Sequence, residues 1–354
     1  MILSPAEFRA IVSGRRRGAS GALARCLLAS VEVPYTLAVR WRNYGYDRGY
    51  TPATRVAVPV ISVGNLSMGG TGKTPLVAWI AGHLQQRGMQ VTLVSRGYGA
   101  AAGEQNDEAL ELAQKLPGVP HLQNPDRVAA AQQAIAELGA QTILLDDGFQ
   151  HRRLARDLDI VLLDAVEPFG FEHVFPRGTL REPLSGLRRA DVIALSRADM
   201  VDAAERARIR AIALGYAPQA AWIEMRHAPV RLRGSGGSEA SLASLVGQPL
   251  AAFCGIGNPA GFRHTLVECG YNVLELREFP DHHAYSAADA TALSAWAKQL
   301  GAGALVCTHK DLVKLASYDF GPLAAWAVEI GLEITVGEEQ FTARLDQLPL
   351  AATK

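Results

Sequence analysis

The sequence predicts an α/β protein in which a parallel sheet flanked by helices is joined to a second, smaller α/β domain. Short apolar segments rich in Val, Ile and Leu alternate with segments of helical periodicity, which is typical of parallel sheets covered on both faces. A glycine-rich turn joins the first such strand to a helix, and the composition shifts at a polar Gly/Ser tract at residues 234–238. With 354 residues, 49% of them hydrophobic, the chain can bury two cores.

Residues 1–50 form a basic and aromatic segment. They carry eight arginines against three acidic residues, around an apolar run at residues 22–39. A membrane-spanning helix needs about 20 apolar residues, and Arg25, Glu32 and Pro34 interrupt this run. The segment fits better as a helical element lying at an anionic membrane surface, where arginines and aromatic rings favour the headgroup region. Helices that only pack on the domain are the alternative.

The next segment has the order strand, glycine-rich turn, helix. An apolar run at residues 58–63 precedes the turn, and apolar residues recur at helical spacing from Leu76 to Leu84. Glycines allow backbone N–H groups to surround a phosphate, and the following helix N-terminus favours its charge. The pattern predicts a P-loop NTPase-like core that binds a nucleotide and Mg²⁺, although an ordinary glycine-rich turn is the alternative. The predicted nucleotide ligands are Gly69, Gly70, Thr71, Gly72, Lys73 and Thr74, with the Thr74 hydroxyl also on the metal.

Three further segments follow predicted strands of the same sheet. The strand at residues 90–95 leads into Arg96, an amphipathic helix opens after Asp107, and the strand at residues 142–145 ends in Asp146 and Asp147. Ligands of parallel sheets bind at the carboxyl ends of the strands. We therefore expect these segments and the glycine-rich turn to converge.

The remaining elements continue the alternation. Predicted strands lie at residues 160–163, 192–195, 250–253, 272–275 and 304–308, with helices at residues 128–138 and 286–300 and extended pieces at residues 221–225 and 229–232. We predict an N-terminal segment at residues 1–50, a P-loop core at 51–228, a linker at 229–240, and a smaller domain at 241–354 that closes over the active site.

Two adjacent carboxylates at a strand end are suited to holding Mg²⁺, so Asp146 and Asp147 are predicted metal ligands. Glu182 is a further candidate for the metal shell. Arg96, Arg127, Arg177 and Arg181 are candidates to clamp phosphate oxygens, since guanidinium groups bind them bidentately. Each could equally be a surface residue.

Transfer to an alcohol also needs a group that accepts the hydroxyl proton. Asp107 and His282 are the candidates, and if the two domains bring them within hydrogen-bond reach they form a base with its orienting partner. Taken alone, an aspartate at a helix start or a histidine in a loop more often has a structural role.

Composition argues against several other classes. The formal net charge is zero, which gives no basic face for nucleic acid. The four cysteines are scattered and read as reduced thiols, not as a zinc site or disulfide frame. Residues 196–199 and 308–311 are only distant matches to the base-reading loop of GTPases, and no stable protein partner is predicted.

The order of these motifs resembles the tetraacyldisaccharide 4′-kinase (lipid A 4′-kinase) family. The resemblance covers most of the chain. It rests on Ser62-Val-Gly-Asn-Leu66, Gly69-Gly-Thr-Gly-Lys-Thr-Pro75, Ser95-Arg-Gly-Tyr-Gly99, Asn106-Asp-Glu108, Asp126-Arg127, Asp146-Asp-Gly-Phe-Gln-His151, Gly178-Thr-Leu-Arg-Glu-Pro183, Gly255-Ile-Gly-Asn-Pro259, Asp281-His282 and Thr308-x-Lys-Asp311.

The resemblance implies ATP-dependent phosphorylation of a lipid A disaccharide precursor at its 4′-hydroxyl, giving lipid IVA at the cytoplasmic face of the bacterial inner membrane. It implies Lys73 and Thr74 on ATP and Mg²⁺, and Asp146, Asp147 and Glu182 around the metal. Asp107 would be the base assisted by His282, and the substrate or phosphate contacts would come from Arg96, Arg127, Gln150, His151 and Arg181. The main alternative is a membrane-associated regulatory P-loop ATPase or GTPase switch. Regulatory ATPases that resemble this loop carry a lysine where this chain has Met68.

Overall fold

The chain folds into two compact units, of which unit 1 comprises Met1–Arg226 and Ile334–Lys354 and unit 2 comprises His227–Glu333. The computed structural model describes residues 5–69, 72–97, 112–113, 116–281, 283–315, 320–321 and 323–348. Asp107, Gly70, Thr71 and His282 lie outside the described residues.

Helices and strands alternate along most of the described chain. The helices are α1 (Pro5–Val12), α2 (Ala19–Asp47), α3 (Lys73–Gln86), α4 (Arg127–Leu138), α5 (Ala203–Tyr216), α6 (Pro259–Glu268), α7 (Ala287–Gln299), α8 (His309–Leu315) and α9 (Glu338–Asp346). The strands are β1 (Val60–Asn65), β2 (Val91–Ser95), β3 (His121–Gln123), β4 (Thr142–Asp146), β5 (Leu158–Asp164), β6 (Val192–Ser196), β7 (Ala221–Gly234), β8 (Glu239–Ala240), β9 (Pro249–Cys254), β10 (Asn272–Glu278), β11 (Ala304–Thr308) and β12 (Ala324–Val336).

Unit 1 is built on a parallel sheet with the strand order β3-β2-β4-β1-β5-β6-β7. Its inner strands β1, β2, β4, β5 and β6 are buried at every position, as expected when helices cover both faces of a sheet. The first strand, β1, lies between β4 and β5, and Val63 pairs with Asp146. The turns that follow β1 and β4 therefore lie side by side.

Helix α2 is a 29-residue helix that continues through Pro34. It is long and apolar enough to associate with a membrane, and little of its most apolar window is buried. One side of α2 is nevertheless attached to the rest of unit 1. Glu32 accepts a hydrogen bond from the backbone N–H of Val174 at 2.9 Å, and Asn43 is buried.

Unit 2 contains a parallel sheet with the order β10-β9-β11-β12, in which β12 also neighbours β7 and β7 pairs with β8 in antiparallel fashion. Its core packs α7 residues such as Leu293 and Trp296 against Phe253 and Leu305. The two extended pieces predicted at residues 221–225 and 229–232 form one strand, β7, because the chain stays extended between them.

The mixed α/β class with a largely parallel sheet is confirmed. The chain beyond residue 333 differs from the prediction, because it belongs to unit 1 and not to the smaller domain. Phe341 of α9 is fully buried and stacks on Trp79 of α3 at a centroid distance of 5.4 Å, and Asp346 pairs with His83 and Arg87. These contacts attach α9 to the helix that follows the glycine-rich turn.

Candidate active site

The turn between β1 and α3 places Lys73 at the carboxyl edge of the sheet. Gly72 precedes α3 with a φ of 80°, a left-handed conformation that glycine adopts without strain. Lys73 is the first residue of α3, and its Nζ lies 3.2 Å from Asn65 Oδ1 and 3.6 Å from Asp147 Oδ1. Thr74 is half-buried in the same helical turn. The helix N-terminus and the lysine together form an anion-binding position.

A close approach of two segments brings the paired aspartates to this turn. A Cβ on Gly64 would lie 2.6 Å from Phe149 Cβ, and a Cβ on Gly148 would lie 2.7 Å from Ser62 Oγ. Only glycine fits at either position without a shift of its neighbours. Asp147 itself has a φ of 54°, a left-handed conformation that aspartate tolerates better than most residues.

Asp147 lies among three cationic side chains. Arg181 Nη1 donates to both carboxylate oxygens at 2.9 and 2.8 Å, Lys73 lies 3.6 Å away, and Arg127 Nη2 donates to the Asp147 carbonyl at 3.5 Å. Burial opposes ionisation of Asp147, but Lys73 and Arg181 outweigh it and hold the pKa of this carboxyl below its ordinary value. The carboxylate is therefore ionised at neutral pH. Its neighbour Asp146 is the last residue of β4 and is buried.

Arg127 and His151 form a second pair at this edge. Arg127 is the first residue of α4, and the N-cap of this helix, Asp126, accepts from the backbone N–H of Val128 at 3.0 Å. The buried guanidinium of Arg127 lies 3.2 Å from His151 Nδ1. Burial and the charge of Arg127 lower the pKa of His151 to about 4. His151 is therefore neutral at pH 7 and accepts at Nδ1.

Glu182 is a buried carboxylate beneath the cluster. Its side chain is 0% exposed and accepts from Asn43 Nδ2 at 2.8 Å, from Gln150 Nε2 at 3.1 Å, and from two nitrogens of Arg189 at 3.0 and 2.9 Å. The Arg189 guanidinium also lies over the Phe149 ring, 4.2 Å from its centroid. Both oxygens of Glu182 are thus engaged by protein donors.

Gln150 and helix α2 connect this buried carboxylate to the cationic cluster. Gln150 Nε2 also donates to the backbone carbonyl of Asn65 at 3.0 Å, and the side chain of the same Asn65 accepts from Lys73. Tyr35 Oη of α2 donates to the Arg181 carbonyl at 3.2 Å. Adjacent residues of one loop, Arg181 and Glu182, therefore each contact α2.

Most of the described residues that the sequence singles out meet at one place. The cluster contains Lys73, Arg127, Asp147, Gln150, His151, Arg181 and Glu182. Arg96 directly follows β2 at the same edge, with an exposed side chain. Asn43, Asn65 and Arg189 are contributors that the sequence analysis does not assign. Asn65 is a polar residue at the end of an apolar strand, a pattern from which its place at the site could have been predicted. No such sequence pattern marks Asn43 or Arg189.

The donor set suits a hard divalent cation. Mg²⁺ is usually held by one or two carboxylates together with substrate phosphates, not by an all-protein cage. Asp146 and Asp147, at the end of β4, and Thr74, in the first turn of α3, carry oxygen atoms of that kind. Among the described residues no group of three or more His, Cys, Asp or Glu side chains is arranged to hold a metal.

Comparison with known proteins decides the family. Residues 24–349 match the family model for tetraacyldisaccharide-1-P 4′-kinase. The chain belongs to the tetraacyldisaccharide 4′-kinase family. It is 44% identical over 320 residues to the tetraacyldisaccharide 4′-kinase of Anaeromyxobacter dehalogenans strain 2CP-C, covering 85% of this chain and 84% of that protein. It is 36% identical over 334 residues to the enzyme of Syntrophus aciditrophicus, covering 87% and 89%.

A solved structure is similar as well. The crystal structure of LpxK from Aquifex aeolicus, in complex with ATP, matches with a TM-score of 0.73 and 29% identity, covering 92% of this chain and 99% of that one. Members of the tetraacyldisaccharide 4′-kinase family are kinases, so the cluster around Asp147 lies in a phosphotransferase.

Proposed function

We propose that this protein transfers the terminal phosphoryl group of ATP to the 4′-hydroxyl of a tetraacylated disaccharide 1-phosphate, giving lipid IVA. The observation that carries the proposal is the meeting of Lys73, Arg181 and Asp147 at the N-terminus of α3. The Aquifex relative binds ATP in its crystal structure, and the glycine-rich turn of this chain has the residues for the same ligand.

Charge placement explains what the site does chemically. The acceptor oxygen forms a bond to the terminal phosphorus, the bond to the bridging oxygen breaks, and ADP leaves. Lys73 and Arg181 lie where they neutralise negative charge that spreads over the phosphoryl oxygens. Mg²⁺ bound by Asp146, Asp147 and Thr74 would supply further charge neutralisation. Asp107, assisted by His282, is the proposed acceptor of the hydroxyl proton.

The network around Glu182 suggests a refinement of its predicted role at the metal. Its carboxylate is buried and accepts from three side chains, so we propose that it acts by positioning. It fixes Gln150 and the loop that carries Arg181, while Asp146 and Asp147 provide the metal-binding oxygens.

Radiolabelled ATP with Mg²⁺ and the disaccharide lipid tests the transfer directly. Lys73→Ala and Asp147→Ala should each reduce labelled product at least 100-fold, whereas Lys298→Ala, which removes an exposed lysine of unit 2, should leave it unchanged. Asp107→Ala should slow transfer while ATP binding persists. Labelled product at the wild-type rate from Lys73→Ala would overturn the proposal.

A regulatory nucleotide switch is less well supported. The segment at residues 308–311, a distant match to the base-reading loop of GTPases, contains Asp311. This residue is fully buried and accepts from Gly255 N at 3.1 Å, Tyr285 Oη at 3.0 Å and Thr308 Oγ1 at 2.6 Å. Its carboxylate is therefore occupied by its own unit. ATP consumption that proceeds equally well without the lipid acceptor would favour the switch.

We propose further that α2 attaches the protein peripherally to the cytoplasmic face of the inner membrane. Leu23, Leu27 and Leu37 are 63%, 61% and 59% exposed, and Trp41 is 82% exposed, whereas the opposite side of α2 is fixed to unit 1 by Glu32. A helix with one side packed on the protein and the other apolar and exposed suits the membrane interface better than a span.

Sedimentation with anionic vesicles tests the attachment. The double variant Leu27→Ser/Leu37→Ser should lower the vesicle partition coefficient about 30-fold, because each leucine contributes roughly 1 kcal/mol when its exposed part enters lipid and about 1.4 kcal/mol corresponds to tenfold. Val267→Ser, which alters a 71% exposed valine of unit 2, serves as the matched control. Unchanged sedimentation of a protein lacking residues 1–40 would end the attachment proposal.

A further inference from the structure

A small cavity lies between the last turns of α2 and the short 3₁₀ segment Leu184–Arg189. Its volume is about 320 Å³, at the lower end of the range for ligand sites. Three of its lining residues are arginines and none is acidic: Arg40, Arg188 and Arg189, with Asn43, Tyr44 and Ser185. Such a lining favours an anion.

The charges around the cavity leave a net positive site. Arg189 donates through both terminal nitrogens to Glu182, and Arg188 pairs with Asp47, which also accepts from Arg152 at 2.8 Å. Arg40 is exposed and makes no hydrogen bond or ion pair with any other residue in the described parts of the chain. Four arginines therefore face two carboxylates, and the Arg40 guanidinium remains available to an incoming ligand.

The position of Arg40 on α2 indicates where that ligand comes from. Leu37 lies one turn before Arg40 and Val33 lies two turns before it, both on the same helical face and both exposed. Leu23 and Leu37, both exposed, are separated by about 21 Å along α2 at 1.5 Å per residue. The large exposed aliphatic side chains of α2 thus end at Leu37, and the exposed rings of Trp41 and Tyr44 beside the cavity favour the headgroup level of a membrane.

We propose that this cavity binds the phosphate group of an anionic lipid whose acyl chains lie along Val33 and Leu37. Arg40 and Arg188 donate to the phosphate oxygens, since guanidinium groups bind phosphate bidentately. The proposal that the phosphate belongs to a lipid rests on the proposed membrane attachment of α2. The cavity is separate from the anion-binding position beside Lys73.

Binding of short-chain lipids tests the site without requiring transfer. The probes are dihexanoyl phosphatidic acid, dihexanoyl phosphatidylcholine and inorganic phosphate, titrated as monomers while a non-hydrolysable ATP analogue and Mg²⁺ occupy the glycine-rich turn. We expect phosphatidic acid to bind at least tenfold more tightly than either other probe. Equal affinity for phosphatidylcholine, or for free phosphate, would overturn the assignment of a lipid-borne phosphate.

Variants locate the site. Arg40→Gln and Ser185→Phe, one removing a donor and one filling the cavity without changing charge, should each weaken phosphatidic acid binding at least tenfold. Arg17→Gln removes the same charge before the start of α2 and should change binding less than twofold. Wild-type affinity in both cavity variants would overturn the proposal, and circular dichroism checks that each variant is folded.

Kinetics in neutral detergent micelles identify the lipid. If Arg40→Gln raises KM for the disaccharide acceptor with kcat unchanged, the acceptor's own phosphate occupies the cavity; an unchanged KM assigns the cavity to a second, bilayer lipid. Because binding is measured without transfer, loss of the phosphatidic acid site would leave the kinase proposal standing. Absence of kinase activity would likewise leave the binding result intact.

Discussion

Removal of the Glu182 side chain tests how much the buried ion pair with Arg189 stabilises the candidate site. The carboxylate is 0% exposed and accepts four hydrogen bonds, two of them from an Arg189 side chain that is itself 11% exposed. Glu182→Ala leaves the Arg189 guanidinium buried without a counter-charge. It also leaves the amides of Asn43 and Gln150 without one of their acceptors.

The structure sets the size of the loss. Breaking a buried ion pair by removing one partner costs about 3–5 kcal/mol. Arg189 retains its contact with the Phe149 ring, which is worth about 0.5–2 kcal/mol, and this keeps the expected loss near the lower end. We expect the free energy of unfolding to fall by about 3 kcal/mol, a large part of the roughly 5–15 kcal/mol typical of a folded protein.

Urea denaturation followed by tryptophan fluorescence and circular dichroism measures this loss. Glu137→Ala is the matched control, because Glu137 is exposed and accepts a single hydrogen bond from Gln133 at 2.8 Å. It should change the free energy of unfolding by less than about 0.5 kcal/mol. The double variant Glu182→Leu/Arg189→Met should be more stable than Glu182→Ala, since it removes both charges.

Two outcomes would refute the reasoning. A loss below about 1 kcal/mol for Glu182→Ala would mean that Arg189 finds water or another partner at little cost. A double variant at least as unstable as the sum of its single variants would mean that the two side chains do not act as a pair.

Two further predictions follow from the geometry. Gly64→Ala should lower the free energy of unfolding by about 1–3 kcal/mol and weaken ATP binding, because the added Cβ would collide with Phe149. The control is Gly82→Ala, where a Cβ meets nothing within 4 Å, and this variant should be neutral or stabilising. Equal urea midpoints for the two variants would contradict the argument. His151 has its pKa lowered from 6.5 to about 4 by burial and nearby arginines, so its neutral form stabilises the fold above pH 6.5 and that contribution is lost as pH falls toward 4. His151→Gln should therefore lose less stability than wild type between pH 6.5 and pH 4, and parallel urea midpoints across that window would argue against it.

The inner parallel strands of unit 1 could be predicted because each contains a short, continuous apolar run. Strand β11 occupies residues 304–308 in both the sequence analysis and the structure. Strand β3 has only three half-buried residues and no apolar pattern. Strand β12 escapes prediction because Glu329 interrupts its apolar run, and that carboxylate is stabilised by Arg231 at 2.8 Å, a contact 98 residues away in sequence.

The residues of the candidate site likewise divide into those that could be predicted from the sequence and those that could not. The convergence of Lys73 and Asp147 follows from topology, since the carboxyl ends of adjacent parallel strands share an edge. The partner of a buried carboxylate does not follow from topology. Nothing local distinguishes Asn43 from any other residue of a basic segment, and only the packing of α2 brings it to Glu182.

Helix α2 contacts the active-site loop with one side and exposes apolar residues on the other. Tyr35 donates to the Arg181 carbonyl and Asn43 to the Glu182 side chain, while Leu37 and Trp41, on intervening turns, remain exposed. The Arg181 guanidinium in turn contacts Asp147. A displacement of α2 therefore cannot occur without changing hydrogen bonds to both residues of the loop that holds Asp147. The helix that we propose to meet the bilayer thus also contacts the loop whose Arg181 holds Asp147.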